Sequence, residues 1–244
     1  MKIFGFNLHN ENKFINITCN LILCCLVLFI FGLSILSPLS TDAYVVNSPA
    51  IYCGDKDDNK VCLMVNVYWG TEYLDKMLDV LEQNDVKTTF FIGGYWAGKN
   101  NEMLKKIYQK GHEIANHGYF HKDHSKLNYE QNQKEITMTQ ELIESIIGVK
   151  TTLFAPPSGS FNDRVLSVAD SLGYKTIMWS RDTIDWRDRD ENLIFKRATE
   201  KTSGGDLILM HPTLQTANAL DKIIKTLKNK GLEVTTVSRT LGEK

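Results

Sequence analysis

Four of the six histidines lie close together in the stretch HEIANHGYFHKDH, between residues 112 and 124. His117 and His121 stand four apart, a spacing that lets two imidazoles converge on one metal ion from a helical turn or a folded loop. Both follow an apolar run directly, which favours metal binding over a merely polar loop. His112 opens that run and is better explained as a surface or capping residue. His124 either supports the metal site or is simply solvated.

His211 and Asp182 end two other apolar runs, LILMHP and SRDTIDW. Pro212 stops the first run and leaves the imidazole at the mouth of the sheet, where a proton donor fits, although a satisfied core histidine is the alternative. Either Asp182 or Asp185 could orient His211 through a charge-assisted hydrogen bond. For Asp185, a turn or helix-capping role is nearly as good an explanation.

The tryptophans offer flat faces on which sugar rings can pack. Most tryptophans are core residues, and of the four in this chain only Trp69 and Trp186 are predicted to contact a ligand.

From Val61 onward, short apolar runs alternate with helical patterns. The run at 61–69 precedes apolar residues with helical spacing, and the same order recurs to give roughly seven strand-then-helix units. This pattern predicts parallel strands in an α/β barrel or an open doubly wound sheet. In either fold, polar residues at the carboxyl ends of the strands meet at one site. Three of the helices are expected near residues 101–110, 128–147 and 190–201.

The composition is that of a single globular domain. The chain has 244 residues, of which 43% are hydrophobic and 23% are charged, enough for one sizeable core. The net charge is −1 without a long run of one sign, so no nucleic-acid partner is expected. No obligate protein partner is inferred.

The N-terminal segment is of a different kind. Leu21–Leu36 carries no charge, and its length falls between that of a secretory signal core and a membrane span of roughly 20 residues. One alternative is a signal peptide cleaved near Ala43. The other is an uncleaved anchor with Lys2 and Lys13 inside the cell. A buried core helix ranks last, because the segment has no polar face.

These observations divide the chain into segments and predict its location. A single-pass membrane protein with its domain outside the cell is expected, or a secreted protein after cleavage. The predicted segments are a cytoplasmic tail over residues 1–20, a transmembrane anchor or signal segment over 21–37, a linker over 38–50 and a catalytic domain over 51–241.

Two cysteines fall in the globular part. The stretch AIYCGDKDDNKVCLMV is typical of two short strands around a polar turn, which would place Cys53 opposite Cys62. A disulfide is then geometrically possible, and two half-buried free thiols are the alternative.

The motifs and their order resemble those of the polysaccharide deacetylases with a NodB-homology domain. HGYFH is similar to the family's H-(S/T)-x-x-H, with Gly118 at the Ser or Thr position. FAPPSGSFND is similar to its third motif, with Ala155 where arginine is common. DTIDW matches D-x-x-x-W through Asp182 and Trp186, and LILMH matches the final L-x-H strand through His211.

The resemblance covers about residues 51–241 and implies a distorted (β/α) barrel of seven parallel strands. It implies a metal-dependent hydrolase that removes acetyl groups from N-acetylated sugars of a cell-wall or surface polysaccharide. His117 and His121 would bind a divalent metal, with Zn²⁺ expected in preference to other ions. His211 would protonate the leaving amine, assisted by Asp182. The residues expected to contact the sugar are Trp69, Pro156, Pro157 and Trp186.

The first motif departs from the family. Members show T-F-D-D-G, with the first Asp as general base and the second as a metal ligand, whereas this chain has MVNVYWG with Asn66 and Val67 at those positions. A variant branch, F-D-x-x-W-G, keeps the first Asp. Asn66 is expected to lend its carbonyl oxygen to the metal or to a water, but an amide cannot accept a proton. Losing a general base removes roughly 10²–10⁴ in rate.

Three functions therefore stay open. The first is an active deacetylase. The second is a catalytically impaired relative that binds glycan or a partner through the retained cleft. The third is a metallohydrolase for another bond, such as an amidase or an O-deacetylase.

Overall fold

The computed structural model describes residues 8–36 and 48–243. The chain divides into two units, Met1–Ala43 and Tyr44–Lys244. The first unit contains helix α1 (Leu8–Leu36).

The predicted N-terminal segments are only partly covered by the structure. None of the helices in the described ranges combines the length and apolarity needed to cross a membrane. The signal-peptide alternative stays a prediction, because the region around Ala43 lies outside the described residues, as do most of the predicted linker and residues 1–7.

One parallel sheet forms the centre of the second unit. Its strand order is β5-β4-β3-β2-β1-β7-β6, with β8 also beside β1. The strands are β1 (Lys60–Val67), β2 (Thr89–Ile92), β3 (Glu113–Asn116), β4 (Leu153–Phe154), β5 (Lys175–Thr176), β6 (Arg181–Asp182), β7 (Leu207–Met210) and β8 (Glu233–Thr235).

The sheet curls because its two edge strands, β5 and β6, follow each other directly in the chain. The predicted strand KTIMWS begins as β5 at one edge and leads into β6 at the other. Residues before β1 also connect the two regions, since Ile51 forms a bridge with Ile177 and Cys53 with Asp206. Counting β5 and β6 as one interrupted strand gives the predicted seven-stranded distorted barrel.

Alternation along β1 decides which side chains reach the interior of the curl. Val61, Leu63, Val65 and Val67 pack in an outer cluster with the helices. Cys62 and Met64 pack in an inner cluster with side chains of neighbouring strands. Asn66 continues the inner series and is 2% exposed at the carboxyl end of the strand.

Helices cover the outer face. The longest, α5 (Tyr129–Ile147), starts with a capping box between Asn128 and Gln131 and ends at Gly148, which has φ +71°. It confirms the helix predicted over 128–147. The helices predicted near 101–110 and 190–201 are confirmed as α4 (Asn101–Gln109) and α7 (Glu191–Thr199). The other helices of this unit are α2 (Leu74–Gln83), α3 (Gly94–Lys99), α6 (Asp163–Ser171), α8 (Leu214–Asn229) and α9 (Val237–Thr240).

The hairpin predicted around the two cysteines is wrong. Cys53 pairs with Asp206 rather than with β1, because residues 51–53 bridge distant parts of the sheet. Cys62 is buried in β1 with its Sγ 3.6 Å from Thr88 Oγ1. Both thiols are free, and burial raises the pKa of the Cys62 thiol to about 12.

The turn that precedes β1 packs against a pair of glycines before β7. A Cβ atom at Gly204 would lie 1.6 Å from the carbonyl oxygen of Asp58, which is backbone and cannot move aside cheaply. We expect Gly204→Ala to lower the free energy of unfolding by about 2 kcal/mol or more, measured by urea denaturation.

Gly98→Ala is the matched control. A Cβ atom there meets only Leu142 Cδ2, at 3.5 Å, within α3. This change should leave stability unchanged or raise it by about 0.5–1 kcal/mol, because alanine favours helix. Equal unfolding free energies for the two variants would contradict this description of the turn.

Candidate active-site cleft

A cavity of about 320 Å³ opens at the carboxyl ends of β1, β3, β6 and β7. It brings together six of the predicted site residues, namely Asn66, His117, His121, Asp182, Trp186 and His211. The other lining residues are Tyr68, Ser158, Trp179 and Leu209.

His117 follows β3 and is fully buried. Its Nδ1 lies 2.7 Å from the carbonyl oxygen of Ala155. Because a carbonyl only accepts hydrogen bonds, Nδ1 carries the proton and Nε2 presents a lone pair. Burial, followed by the neighbouring His121, holds the pKa of His117 well below its usual value, so the ring stays neutral.

Two buried acceptors of this cavity have no hydrogen-bond partner within the described residues. They are His117 Nε2 and Asn66 Oδ1. Buried polar atoms are nearly always satisfied in native proteins, so an unpaired couple at one cavity indicates a place for a donor or a cation.

His121 is held by the loop between the two histidines. Glu135 on α5 is buried and accepts hydrogen bonds from the backbone nitrogens of Tyr119, at 2.9 Å, and Phe120, at 2.7 Å. The Tyr68 ring stacks on the His121 ring, with 3.5 Å between centroids and 17° between planes. Burial lowers the pKa of His121 to about 4.

The position of His124 explains why residue 118 is a glycine. Gly118 has φ +69°, and a Cβ atom there would lie 2.8 Å from His124 Nε2. His124 is fully buried, so the alternative of a solvated residue is wrong. His112 is also buried rather than on the surface, and its Nδ1 accepts a hydrogen bond of 3.3 Å from the Thr88 backbone nitrogen.

Asp185, and not Asp182, orients His211. Its Oδ1 lies 2.8 Å from His211 Nδ1, while its Oδ2 accepts from the His211 backbone nitrogen at 2.6 Å and from Thr216 Oγ1 at 2.5 Å. With Nδ1 held, Nε2 is the ring nitrogen left for a ligand. Asp182 lines the cavity but accepts a hydrogen bond of 2.7 Å from the Ile184 backbone nitrogen, and burial raises its pKa.

The sequence offered both Asp182 and Asp185 as partners of His211, and the selection of Asp182 as the catalytic carboxylate is not matched by the hydrogen bonds. Two carboxylates in DTIDW follow the same apolar run, and the sequence alone does not tell which one reaches His211.

The tryptophans that line the cavity differ from the two that were predicted to contact a ligand. Trp186 lines the cavity and is 54% exposed, and Trp179, expected in the core, lines it too. Trp69 stacks on His211 with 5.1 Å between centroids but is not a lining residue. Pro156 and Pro157 are buried, and Ser158 from the same turn lines the cavity in their place.

The donor set does not fit a tightly held zinc ion. Nowhere in residues 8–36 and 48–243 are three His, Cys, Asp or Glu side chains arranged to hold a metal. His117 and His121 supply only two imidazoles, and the amide of Asn66 is a poor zinc ligand, whereas catalytic zinc sites have three protein ligands drawn from His, Cys, Asp and Glu. Val67 supplies nothing, because its side chain packs in the outer cluster.

Residues 54–177 match the sequence profile of the Polysaccharide deacetylase family. The chain is 44% identical over 193 residues to Uncharacterized protein YlxY of Bacillus subtilis, a match that covers 79% of this chain and 60% of that protein. It is 33% identical over 175 residues to a Peptidoglycan-N-acetylglucosamine deacetylase of Bacillus cereus, covering 69% of this chain and 82% of that protein. The match thus spans less than two thirds of YlxY.

A solved structure gives a third comparison. BA3943 from Bacillus anthracis, described as a CE4 family pseudoenzyme, is 38% identical with a TM-score of 0.77, covering 79% of this chain and 69% of that one. A BA3943 mutant described as having restored enzymatic activity superposes with a TM-score of 0.78 at 37% identity, covering 79% and 71%. The family generally uses a divalent metal. By sequence and by fold, this chain belongs to the polysaccharide deacetylase family.

Proposed function

We propose that this protein is a catalytically impaired deacetylase that binds N-acetylated glycan of a cell wall through its retained cleft, outside the cytoplasm. The observation that carries the proposal is the pair of unpaired acceptors, Asn66 Oδ1 and His117 Nε2, at one cavity. Asn66 stands where the family's first motif has its general base.

Weak catalysis follows from the absence of a proton acceptor at Asn66. Among the residues that line the cavity, Asp182 is the one carboxylate, and its Oδ1 already accepts from the Ile184 backbone nitrogen. Asp185 is occupied by the backbone and ring of His211 and by Thr216. An enzyme without its general base loses roughly 10²–10⁴ in rate.

Glycan binding needs neither a base nor a metal. The two unpaired acceptors suit donors such as the N–H of an acetamido group and the hydroxyls of a sugar, which would satisfy both buried atoms. Trp179 and Trp186 offer apolar faces for a sugar ring at the same cavity. The size of the cavity, about 320 Å³, suits one sugar residue with its acetamide.

One observation favours residual deacetylase activity as the second candidate. The His211–Asp185 pair, with 2.8 Å between Nδ1 and Oδ1, keeps the acid half of the family's catalytic machinery. The two candidates differ in whether bound glycan loses acetate. The names of the relatives support a peptidoglycan-like substrate class for either one.

Asn66→Asp tests the missing base. The substitution returns a proton acceptor to the end of β1, and we expect acetate release from N-acetylglucosamine oligomers, with added divalent metal, to rise about 10²-fold or more over the parent protein. The BA3943 mutant that is described as having restored enzymatic activity supports this expectation.

Asn101→Asp makes the same chemical change on the exposed surface of α4 and should leave acetate release at the parent level. Acetate release by the parent equal to that of Asn66→Asp would reject the proposal in favour of an active enzyme.

Trp186→Ala tests the sugar-binding face. Removing a stacking partner worth about 1 kcal/mol should weaken binding of N-acetylglucosamine oligomers roughly fivefold to tenfold, measured by calorimetry in the presence of a metal chelator. Tyr108→Ala is the control, because this aromatic side chain is 41% exposed on α4 and does not line the cavity. No measurable binding by the parent protein, or identical affinities for all three proteins, would overturn the glycan-binding proposal.

A further inference from the structure

A second cavity, of about 390 Å³, lies next to the cleft. Asp182 lines both cavities, so they meet at the carboxyl end of β6. We call this second cavity the annex. Its charged lining residues are Arg181, Asp182, Lys196, Arg197, Glu200 and Lys201.

The annex carries an excess of positive charge. Four cations face two carboxylates among its lining residues, although the whole chain has a net charge of −1. The carboxylates that pair with its arginines do not cancel this excess, because each also pairs with another cation. Asp206 binds both Arg181 and Lys56.

The second arginine is held in the same way. Asp188 binds Arg197 Nη2 at 2.6 Å and Arg187 Nε at 2.7 Å. Arg197 Nη1 also donates to the Thr183 carbonyl oxygen at 2.9 Å. The two guanidinium groups of the annex are therefore fixed in place, and guanidinium groups are suited to planar carboxylates and to phosphates.

The two lysines are available to a ligand. Lys196 is 60% exposed and lies 3.6 Å from Glu200 Oε1, a weak contact. Lys201 is exposed, and its ammonium group has no ion-pair partner in the part of the chain that the structure describes.

We infer that the annex binds an anionic group, a carboxylate or a phosphate, carried by the same glycan whose N-acetyl sugar occupies the cleft. This inference rests on the proposed function and narrows its substrate class to acidic N-acetylated polymers. Because Asp182 lines both cavities, the annex adjoins the cleft, and a polymer with one unit in the cleft can place the anionic group of a neighbouring unit at the annex. Leu193, 40% exposed, adds an apolar surface against which a sugar ring can pack.

The test compares two tetrasaccharides by calorimetry with the full chain. One is neutral and contains only N-acetylglucosamine, and the other alternates N-acetylglucosamine with N-acetylmuramic acid, which carries a carboxylate. We expect the acidic tetrasaccharide to bind roughly threefold to tenfold more tightly at low salt, with the preference reduced at about 0.5 M salt.

A charge variant locates the preference. The double substitution Lys196→Gln and Lys201→Gln should remove most of it and leave the affinity for the neutral tetrasaccharide unchanged. The matched control is Lys105→Gln with Lys225→Gln, which removes two cations from lysines 41% and 63% exposed on α4 and α8. The control should keep the full preference.

Each failure has a separate meaning. If the neutral tetrasaccharide binds but the acidic one has no advantage, or keeps its advantage in the annex variant, the annex inference is wrong and the proposed function stands. If neither binds, both are wrong. A competition with inorganic phosphate identifies the source of the anion. If phosphate at the same concentration as the tetrasaccharide abolishes the preference, the anion need not be attached to glycan, and the inference of a glycan-borne anion is wrong.

Discussion

The hydrogen bond between His117 Nδ1 and the Ala155 carbonyl, 2.7 Å long, determines what the cleft can bind. It leaves Nε2 as an acceptor beside a second acceptor, Asn66 Oδ1, and both are buried without partners in the described structure. The sheet supplies this constraint. Ala155 follows β4, and its backbone nitrogen donates a hydrogen bond to the carbonyl oxygen of Asn116 in the adjacent β3. A cleft with two neutral acceptors favours donors such as amides and hydroxyls.

The same constraint separates binding from catalysis. A carboxylate at residue 66 would add negative charge for a metal and a site for the proton of water, whereas an amide provides neither. The rest of the cleft is unaffected, because Asp185 still orients His211 and Trp186 still lines the opening. The BA3943 pseudoenzyme and its mutant described as having restored enzymatic activity match this chain with TM-scores of 0.77 and 0.78, so the overall fold does not separate the inactive from the active form of that protein.

Much of this architecture could be predicted from local patterns. Apolar periodicity gave the helix over 128–147 and the parallel strands, and strand ends brought six predicted side chains to one cavity. Long-range pairing was not visible, so the hairpin predicted around Cys53 was wrong. The choice between Asp182 and Asp185 depends on the path of the backbone after β6, which two carboxylates three residues apart do not reveal.

The most direct test of the central claim is native mass spectrometry of the full chain mixed with zinc and an N-acetylglucosamine tetramer. The result predicted is a complex of metal-free protein with intact tetramer, because two imidazoles and an amide hold zinc weakly while the cleft holds the sugar. One zinc ion per chain together with tetramer that has lost acetyl groups would contradict the claim.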